Sequence, residues 1–133
     1  MKNEIEILTD CYHQALLRLQ AALSKEPDED GICVDATVHR FEVCFELAMK
    51  LLKVMIIYEG IEVDSYRSAI REGWKQGMLT DAEVWLDMYE KSKFTTYNYN
   101  ESSTTLIYRL VKGKYIRLLL AWKEESQRLT TMR

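Results

Sequence analysis

The stretch DATVHRFEVCFELAMKLLKVMIIYEG, residues 35–60, decides the fold of this chain. Its apolar residues recur at steps of three and four, the spacing that places side chains on one face of an α-helix. Two such stripes lie side by side, one formed by Val38, Phe41, Phe45, Ala48, Leu52 and Met55, the other by Cys44, Leu47, Leu51 and Val54. A helix with so wide an apolar arc must be covered on several sides, so we expect it at the centre of a bundle. Asp35 is its expected N-cap and Gly60 its expected end.

Helical periodicity continues on both sides of this central stretch. A first helix is predicted over residues 2–25, and its apolar stripe consists of Ile5, Leu8, Tyr12, Ala15, Leu19 and Ala22. A third helix is predicted over about residues 65–76. Asp64 or Ser65 can cap its start, and Gly77 stands where a helix end favours a left-handed residue.

The second half of the chain predicts two further helices. Thr80 and Glu83 have the spacing of a capping box, which opens a fourth helix ending near Lys91. The residues that this helix is expected to bury are Val84, Trp85 and Met88. Residues 92–100 show no periodicity and are interpreted as a loop or a fraying helix end. A last helix follows over about residues 101–127, and its inward residues are expected to be Leu106, Ile107, Leu110, Val111, Leu118 and Trp122.

The composition supports one helical domain. The chain has 133 residues, of which 47% are hydrophobic and 29% charged, as in an ordinary folded protein. Five glycines and one proline are too few for a turn-rich β-sandwich or barrel. We therefore predict an all-α, antiparallel up-and-down bundle of four to five helices that occupies residues 1–133 as a single domain.

Charge is unevenly distributed along the chain. Residues 1–30 hold three basic and seven acidic groups, whereas residues 101–133 hold seven basic and three acidic groups. The overall charge of −3 argues against a protein that coats nucleic acid, and DNA is not an expected partner. The basic segment either complements the acidic one within the fold or meets an acidic or phosphate-bearing partner.

The cysteines and histidines predict no metal site. Cys11, Cys33 and Cys44 lack metal-ligand spacing and are expected to act mainly as small core hydrophobes in a reducing compartment. Cys11 and His13 are two residues apart on a helix, so their side chains point in different directions. His39 is interpreted as a surface histidine. Neither a metal nor a cofactor is expected.

Several classes of protein are excluded by what the sequence lacks. It has no Gly-rich phosphate loop, no zinc-finger spacing and no nucleophile elbow. It also lacks the Gly-Ser pair and paired aspartates that a nucleotidyltransferase needs for its metal ions. Lys53 interrupts the longest apolar run, residues 51–58, and no signal-peptide pattern opens the chain. We expect a cytoplasmic protein that does not enter a membrane and does not itself catalyse nucleotidyl transfer.

The less apolar side of the central helix carries Arg40, Glu42, Glu46 and Lys50. Glu46 and Lys50 have the favourable i,i+4 orientation, which stabilises a helix by about 0.3–0.5 kcal/mol. Glu42 and Glu46 repel each other, which calls for a cation, most simply Arg40 or one from another helix. This strip is either a solvated helix face or the lining of a cleft or subunit interface.

Three blocks of sequence occur in an order that is typical of a known family. Residues 40–53 read RFEVCFELAMKLLK, where the family has Arg-Phe-Glu, three residues and Glu-Leu-x-Trp-Lys, so Met49 stands at the Trp position. Residues 69–77, AIREGWKQG, are similar to the family segment IREAFKAG, and residues 81–88, DAEVWLDM, to DGEVWLDML. Over most of residues 5–125 the chain resembles the nucleotidyltransferase substrate-binding proteins, small helical proteins of the HEPN superfamily.

The resemblance implies an antiparallel helical bundle that forms homodimers. It also implies a partner, a minimal nucleotidyltransferase on a separate polypeptide, to which such proteins were proposed to supply substrate binding. Many of these pairs behave as toxin and antitoxin. In active HEPN members, an Arg and a His form a metal-independent ribonuclease site at the dimer interface. A Tyr two residues after that His is the position that the partner can modify with AMP.

The chain departs from this ribonuclease motif at both catalytic positions. The family reads Arg-Asn-x-Thr-x-His-x-Tyr, whereas residues 92–99 read SKFTTYNY, so Ser92 occupies the Arg position and Tyr97 the His position. A hydroxyl does not stabilise phosphate charge as a guanidinium does, and a phenol with a pKa near ~10 transfers protons poorly at neutral pH. The motif therefore predicts a degenerate site without catalytic residues.

Tyr99 retains the identity that the family motif has at its last position. It is either an aromatic packed under a loop or an AMP acceptor and ligand contact. Tyr97, Tyr89 and Trp85 lie close to it in sequence, which favours a binding end of the bundle. The complete candidate binding or interface surface consists of Arg40, Glu42, Glu46, Lys50, Trp85 and Tyr97.

The predicted function is that of a non-catalytic substrate-binding or regulatory subunit. It would pair with a minimal nucleotidyltransferase in a toxin–antitoxin-type module, with a nucleotide or RNA as candidate ligand. The alternative is a HEPN-type ribonuclease toxin with a degenerate site. A third hypothesis is a free-standing small-molecule binder with an enclosed apolar pocket. A homodimer is expected because wide apolar faces on a short chain leave surface to cover.

Overall fold

The computed structural model describes residues 2–94 and 100–132, and these residues form five helices and no strand. In chain order the helices are α1 (Lys2–Leu23), α2 (Ile32–Tyr58), α3 (Tyr66–Lys75), α4 (Ala82–Ser92) and α5, which covers residues 101–131. The last helix, α5, has an α-helical first half (Glu101–Leu110), a π-helical turn (Val111–Tyr115) and an α-helical second half (Ile116–Thr131). The prediction of an all-α bundle is confirmed.

The central helix of the bundle is α2, which packs against all four other helices. Its first predicted stripe is buried throughout. In the second stripe, Cys44 and Leu51 are buried, and Leu47 and Val54 are half-buried. This wide burial matches the expectation drawn from the two stripes, because a helix covered on several sides must be apolar over most of its circumference.

Two buried hydrogen bonds fix α5 against the first two helices. The Tyr12 hydroxyl on α1 donates to the Leu119 carbonyl at 2.5 Å, and the Trp122 indole N–H donates to the Ala48 carbonyl of α2 at 3.2 Å. Both aromatic side chains are almost fully buried. Each therefore adds apolar burial while its one polar group stays hydrogen-bonded.

The start of α2 differs from the prediction. The N-cap is Gly31, whose φ of 74° is left-handed, and the helix is continuous from Ile32, so Asp35 lies in the first turn and does not cap it. A glycine adopts this conformation without a Cβ clash, which lets the chain enter the helix directly from the acidic loop at residues 28–30. The end agrees with the prediction, because Gly60 has a φ of 88° and its N–H donates to the Ile57 carbonyl at 2.9 Å.

Polar contacts set the ends of α3 as expected. The Ser65 side chain accepts from the Ser68 backbone N–H at 3.1 Å, and the Ser68 hydroxyl accepts from the Ser65 N–H in return, which makes a capping box. Gly77 follows the helix with a φ of 75°, and the Met78 N–H then donates to the Gly73 carbonyl at 2.8 Å. This left-handed residue ends the helix.

The predicted capping box of α4 is wrong. Asp81, not Thr80, is the N-cap, and it has a left-handed φ of 55° and makes no side-chain capping bond. The backbone of Asp81 instead accepts from the Val84 N–H at 3.0 Å. Aspartate adopts left-handed conformations more readily than most residues, so the turn forms one residue later than the Thr80–Glu83 spacing suggests.

The Gly73 position brings α3 close to α2. A Cβ at this buried glycine would lie 3.1 Å from Leu52 Cδ1 and 3.3 Å from Leu79 Cδ1. Such distances are tighter than ordinary van der Waals contacts, so the missing side chain permits the close approach. Trp74, the next residue along, points away from this contact and is exposed.

The last helix extends further than predicted, and one of its expected core residues faces outward. Ile107, Val111 and Trp122 are buried as expected, but Leu106 is 44% exposed, so its assignment to the core is wrong. In a helix, neighbours in sequence are about 100° apart, and burial of Ile107 turns Leu106 outward. The π-helical turn between the two halves was not predicted.

The three cysteines are free thiols in different environments. Cys44 is buried, Cys33 is half-buried and Cys11 is exposed. The prediction that the thiols act as core hydrophobes therefore holds for Cys44 and is wrong for Cys11. The reason is the position on the helix, because the buried face of α1 passes through Tyr12 and leaves the neighbouring Cys11 outside.

Candidate functional site

The residues matching the ribonuclease motif begin at the last turn of α4. Ser92 is the final residue of α4, and its hydroxyl donates to the Tyr89 carbonyl at 2.7 Å. Lys93 is the C-cap. Tyr97 and Tyr99, the degenerate His position and the candidate AMP acceptor, lie outside the described residues. The end of α4 nevertheless shows where the motif residues start. The Ser92 hydroxyl is already used in a hydrogen bond to the backbone.

Tyr89 is the centre of an aromatic and cationic cluster beside this segment. The Lys93 ammonium lies 4.0 Å from the Tyr89 ring centroid, and the Arg67 guanidinium of α3 lies 5.4 Å from it. Both distances permit cation–π attraction. Arg67 also forms an ion pair with Glu90. Arg67 therefore joins α3 to the end of α4 through both the Tyr89 ring and Glu90, while Lys93 contacts the same ring from the C-cap of α4.

A second contact joins α3 to the predicted strip on α2. The Tyr66 hydroxyl donates to Glu46 Oε1 at 2.6 Å, and the Tyr66 ring meets the Tyr89 ring edge-on with centroids 6.2 Å apart. Burial, and after it the hydrogen bond to Glu46, raises the pKa of Tyr66 well above its ordinary value. The phenol is therefore protonated at neutral pH and acts as a donor to the carboxylate.

The structure separates the four charged residues of the predicted strip. Glu46 and Lys50 are exposed, whereas Arg40 and Glu42 are half-buried. Arg40 points toward α1, where its Nη1 donates to the Arg18 carbonyl at 2.8 Å. The described residues contain no ion pair between Glu46 and Lys50 within 4 Å, so the predicted helix pair is absent. The partner of Glu46 is a phenol of α3 instead of the expected cation.

The sequence predicts Trp85 both in the core and on the candidate binding surface. In the structure it is a core residue. It is 1% exposed, and its ring lies 6.3 Å from the Phe45 ring of α2. A partner at the surface has no access to this side chain in the described conformation. Trp85 therefore belongs to the core and forms no part of an exposed surface.

A partly buried network that sequence reasoning missed links α4 to the π-helical turn. The Tyr115 hydroxyl donates to Asp87, and the Lys91 ammonium lies 3.0 Å from the same carboxylate. The Tyr115 ring stacks on Phe41 with centroids 5.5 Å apart. Partial burial works to raise the pKa of Asp87, but the hydrogen bonds from Tyr115 and Lys91 outweigh it and lower the pKa overall. Burial first, and then Asp87, raises the pKa of Tyr115.

The outer side of α2 forms an exposed row along the whole helix. We call it the α2 outer stripe; its residues are Ile32, His39, Val43, Glu46, Lys50 and Ile57. Val43 is 42% exposed, and Ile32 and Ile57 are also exposed. Because these residues follow steps of three, four and seven, they lie on one face. The central helix therefore presents two charged residues, Glu46 and Lys50, to the outside between the apolar Val43 and Ile57.

The loop between α1 and α2 and the start of α5 enclose an acidic groove of about 420 Å³. The residues that line it include Asp28, Glu29, Asp30, Asp35 and Glu101. The acidic N-terminal segment thus meets the acidic first residue of α5 at this end. Among the described residues no ion pair joins residues 1–30 to residues 101–133. The acidic and basic segments therefore do not complement each other through direct ion pairs.

Both histidines lie on helices other than α4, His13 on α1 and His39 on α2. His39 is exposed on α2. His13 on α1 lies close enough to Lys123 of α5 for its charge to matter: burial first, and then Lys123, lowers the pKa of His13. Neutral His13 also keeps a buried Nε2 that has no hydrogen-bond partner within the part of the chain that the structure describes.

The described residues contain no group of three or more His, Cys, Asp or Glu side chains arranged to hold a metal ion. In the same part of the chain, no helix combines the length and the apolar character that crossing a membrane requires.

The architecture defines a class, that of small all-α bundles built around one central helix. Within this class, the family described as "Nucleotidyltransferase substrate binding protein like" matches residues 9–128, so the chain belongs to that family. The matched range contains all three sequence blocks on which the resemblance was based.

Two known proteins extend this assignment. A protein described as a probable ribonuclease HepT, from Haemophilus influenzae, is 19% identical over 100 residues, which cover 71% of this chain and 68% of that protein. A crystal structure of a Thermus thermophilus protein superimposes with a TM-score of 0.75 at 28% identity and covers 90% of this chain and 98% of the other. The fold is therefore shared with a solved protein over nearly its entire length.

Proposed function

We propose that this chain is a non-catalytic substrate-binding or regulatory subunit of a separate minimal nucleotidyltransferase, in a cytoplasmic module of the toxin–antitoxin type. The observation that carries the proposal is family membership over residues 9–128 together with Ser92 and Tyr97 at the positions where active relatives have Arg and His. The scaffold is kept while the groups for charge stabilisation and proton transfer are absent from the motif. A role in binding needs neither group.

We further propose that two copies associate through the α2 outer stripe. The position of Glu46 and Lys50 between Val43 and Ile57 supports this, because an apolar row with one charge of each sign near its middle is self-complementary. If two α2 helices cross antiparallel through their outer stripes, with the two-fold axis at the level of Ala48 along the helix, Glu46 of one copy meets the partner subunit's Lys50, and the reverse. In such a dimer, Glu46 and Lys50 would each form an ion pair with the partner subunit, whereas the two residues form no ion pair with each other within one chain.

The test of the nucleotidyltransferase pairing is co-expression. A small nucleotidyltransferase whose gene lies beside this one is produced together with the tagged chain, and the complex is measured by size-exclusion chromatography with light scattering. We expect a stable complex of defined stoichiometry. Tyr99 is proposed as the AMP acceptor, so incubation of the complex with ATP should give an AMP adduct by mass spectrometry that Tyr99→Phe loses.

The second candidate function is a ribonuclease with a degenerate site, and the probable ribonuclease HepT favours it. The purified chain is incubated with total RNA in a chelating buffer, with Tyr97→Phe as the comparison. We expect no cleavage by either protein. Cleavage by the wild type that the Tyr97→Phe variant loses would replace the binding proposal with the ribonuclease.

A further inference from the structure

The helix α3 presents a row of cations and one indole on its outer face. We call this row the α3 stripe; its residues are Arg67, Arg71, Trp74 and Lys75, and all four are exposed. They stand at positions i, i+4, i+7 and i+8, which fall within an arc of about 100° of the helix. Ala69, Ile70 and Gly73, on the opposite arc, are buried. The stripe is thus the full outward surface of this helix.

Trp74 is the unusual member of the stripe. Its side chain is 57% exposed, whereas the other two tryptophans, Trp85 and Trp122, are each 1% exposed. An indole contributes a large apolar area, and on this helix that area is left in water instead of the core. Tryptophan and arginine are the residue types most enriched among energetically dominant contacts at interfaces. The exposed indole is therefore available to a ligand.

Two cations flank this indole without strong partners. Arg71 lies one turn earlier, and no carboxylate among the described residues is within 4 Å of it; Lys75 is 4.0 Å from Glu72, at the limit of an ion pair. Arg67 differs, because Glu90 already pairs with it. Arg71 thus carries a positive charge that no described carboxylate within 4 Å offsets, and Lys75 is paired only at the 4.0 Å limit, so both cations can still attract an anionic ligand.

The stripe continues toward the segment that the family motif covers. At the N-terminal end of α3, the Arg67 guanidinium lies 5.4 Å from the Tyr89 ring, and Lys93 lies 4.0 Å from the same ring on α4. Two aromatic rings, Trp74 and Tyr89, therefore lie along this surface with Arg71 and Arg67 between them, and Lys93 lies beyond Tyr89. Interleaved cations and aromatic faces are how proteins hold single strands of nucleic acid.

We propose that the α3 stripe binds single-stranded nucleic acid, with one base stacked on Trp74 and the adjoining phosphates on Arg71 and Lys75. Every base offers a π-face, so the stacking does not depend on sequence, and guanidinium is suited to bidentate contact with phosphate. An acidic peptide would satisfy the two cations but would leave the indole face unused. This binding does not require the nucleotidyltransferase partner, so failure of either proposal leaves the other standing.

The test uses the full chain and a fluorescein-labelled ten-adenosine RNA, followed by fluorescence anisotropy at low salt. Trp74→Ala should weaken binding about tenfold, within the range measured for loss of one stacked base. Trp74→Phe retains an aromatic face and should stay within about threefold of wild type. Because the side chain is exposed, both variants should keep the wild-type circular dichroism and thermal unfolding.

A matched pair of charge variants tests the phosphate contacts. Arg71→Gln should lower the affinity and reduce the magnitude of the log–log salt slope by about 0.7, the value for one phosphate of a single strand. Arg18→Gln, an exposed arginine on α1, makes the same change of net charge elsewhere and should leave both quantities at the wild-type value. Equal effects of the two variants would overturn the proposal, because they would indicate non-specific attraction.

Competition identifies the ligand class. Unlabelled ten-adenosine RNA and its single-stranded DNA equivalent should both displace the probe, because the proposed contacts are to bases and phosphates and not to the 2′-hydroxyl; binding of the DNA would correct the expectation that DNA is not a partner. A hexaglutamate peptide and an abasic oligomer should compete much more weakly. If the abasic strand or the peptide competes as well as the RNA, or if Trp74→Ala binds as tightly as wild type, the stacking proposal is wrong.

Discussion

At the scale of single residues, the contact between Tyr115 and Asp87 shows how one phenol determines the state of a carboxylate. The hydroxyl donates to Asp87 across two helices, and Lys91 contacts the same group. Partial burial alone would raise the pKa of Asp87, yet the two donors lower it. The folded state therefore prefers the ionised carboxylate, which makes this contact a source of stability that depends on pH.

We expect Tyr115→Phe to lower the free energy of unfolding by about 1 kcal/mol at pH 7, less than a fully buried charged hydrogen bond because Asp87 is partly exposed. A carboxyl whose pKa is lowered on folding stabilises the protein above its unfolded pKa and loses this contribution as the pH falls through the folded value. The difference between variant and wild type should therefore shrink between about pH 5 and pH 2. Urea unfolding at several pH values measures it.

Tyr108→Phe is the matched control for this hydroxyl deletion. Tyr108 is buried on the same helix, but its hydroxyl has no hydrogen-bond partner among the described residues. Removal of an unsatisfied buried polar group is expected to be neutral or stabilising at every pH. If Tyr108→Phe destabilises as much as Tyr115→Phe, the effect at Tyr115 belongs to the ring packing and not to Asp87.

At the scale of elements, the π-helical turn explains how α5 keeps one face buried. Ile107, Val111, Tyr115 and Leu119 are spaced by four residues, and each such step advances by about 40° on a regular α-helix. The wider turn at Val111–Tyr115 compensates for this drift, so all four remain buried. The run of three successive steps of four was the sequence signal that could have indicated the turn.

The close approach of α3 to α2 at Gly73 leads to a second prediction. Gly73→Ala should destabilise the protein by about 1–2 kcal/mol, because overpacking against Leu52 and Leu79 outweighs the gain in helix propensity. Gly113→Ala, in the π-helical turn, meets no atom within 4 Å and should be neutral or stabilise by up to about 1 kcal/mol. Chemical denaturation of both variants measures the contrast, and a stabilised Gly73→Ala would show that the interface has room.

The sequence predicted the elements well because their signals are local. The six residues of the first α2 stripe are all buried, and Ser65, Gly60 and Gly77 fulfil their expected roles at helix ends. Near Asp35 and Thr80 the sequence offers more than one possible N-cap, and the backbone conformation determines which residue begins the helix. A left-handed Gly31 or Asp81 begins the helix instead, and spacing alone does not reveal this.

The candidate site was less predictable because its contacts join distant parts of the chain. Tyr66 meets Glu46 across 20 positions, and Tyr115 meets Asp87 across 28. The resemblance to the family located the degenerate motif, but periodicity does not tell which side chains of α3 and α4 converge on Tyr89. Trp74 lies within one of the family blocks, residues 69–77, but the sequence does not indicate whether its side chain is buried. The structure shows that it is exposed.

At the scale of the whole molecule, the proposed association through the α2 outer stripe gives a charge-reversal prediction. Lys50→Glu and Glu46→Lys should each weaken the dimer, because a two-fold axis repeats every like-charge contact. The double variant exchanges the two charges and should restore association toward the wild-type level. Light scattering over micromolar concentrations measures all four proteins.

The control for this series is Glu124→Lys, an exposed glutamate on α5 outside the stripe, which should leave the dimer unchanged. A wild-type chain that is monomeric throughout the concentration range contradicts the association itself. If all three stripe variants dimerise as strongly as the wild type, the dimer itself stands and only the surface proposed for it is wrong.

The graded environments of the three thiols have a practical consequence for studying this protein. Burial raises the pKa of Cys44 to about 12, so an alkylating reagent reaches a reactive thiolate there only when the centre of the bundle opens. Cys11 on the surface reacts without any opening and supplies an internal reference. The ratio of the two alkylation rates in one sample therefore reports how often the native bundle opens, and no cysteine has to be engineered into the chain.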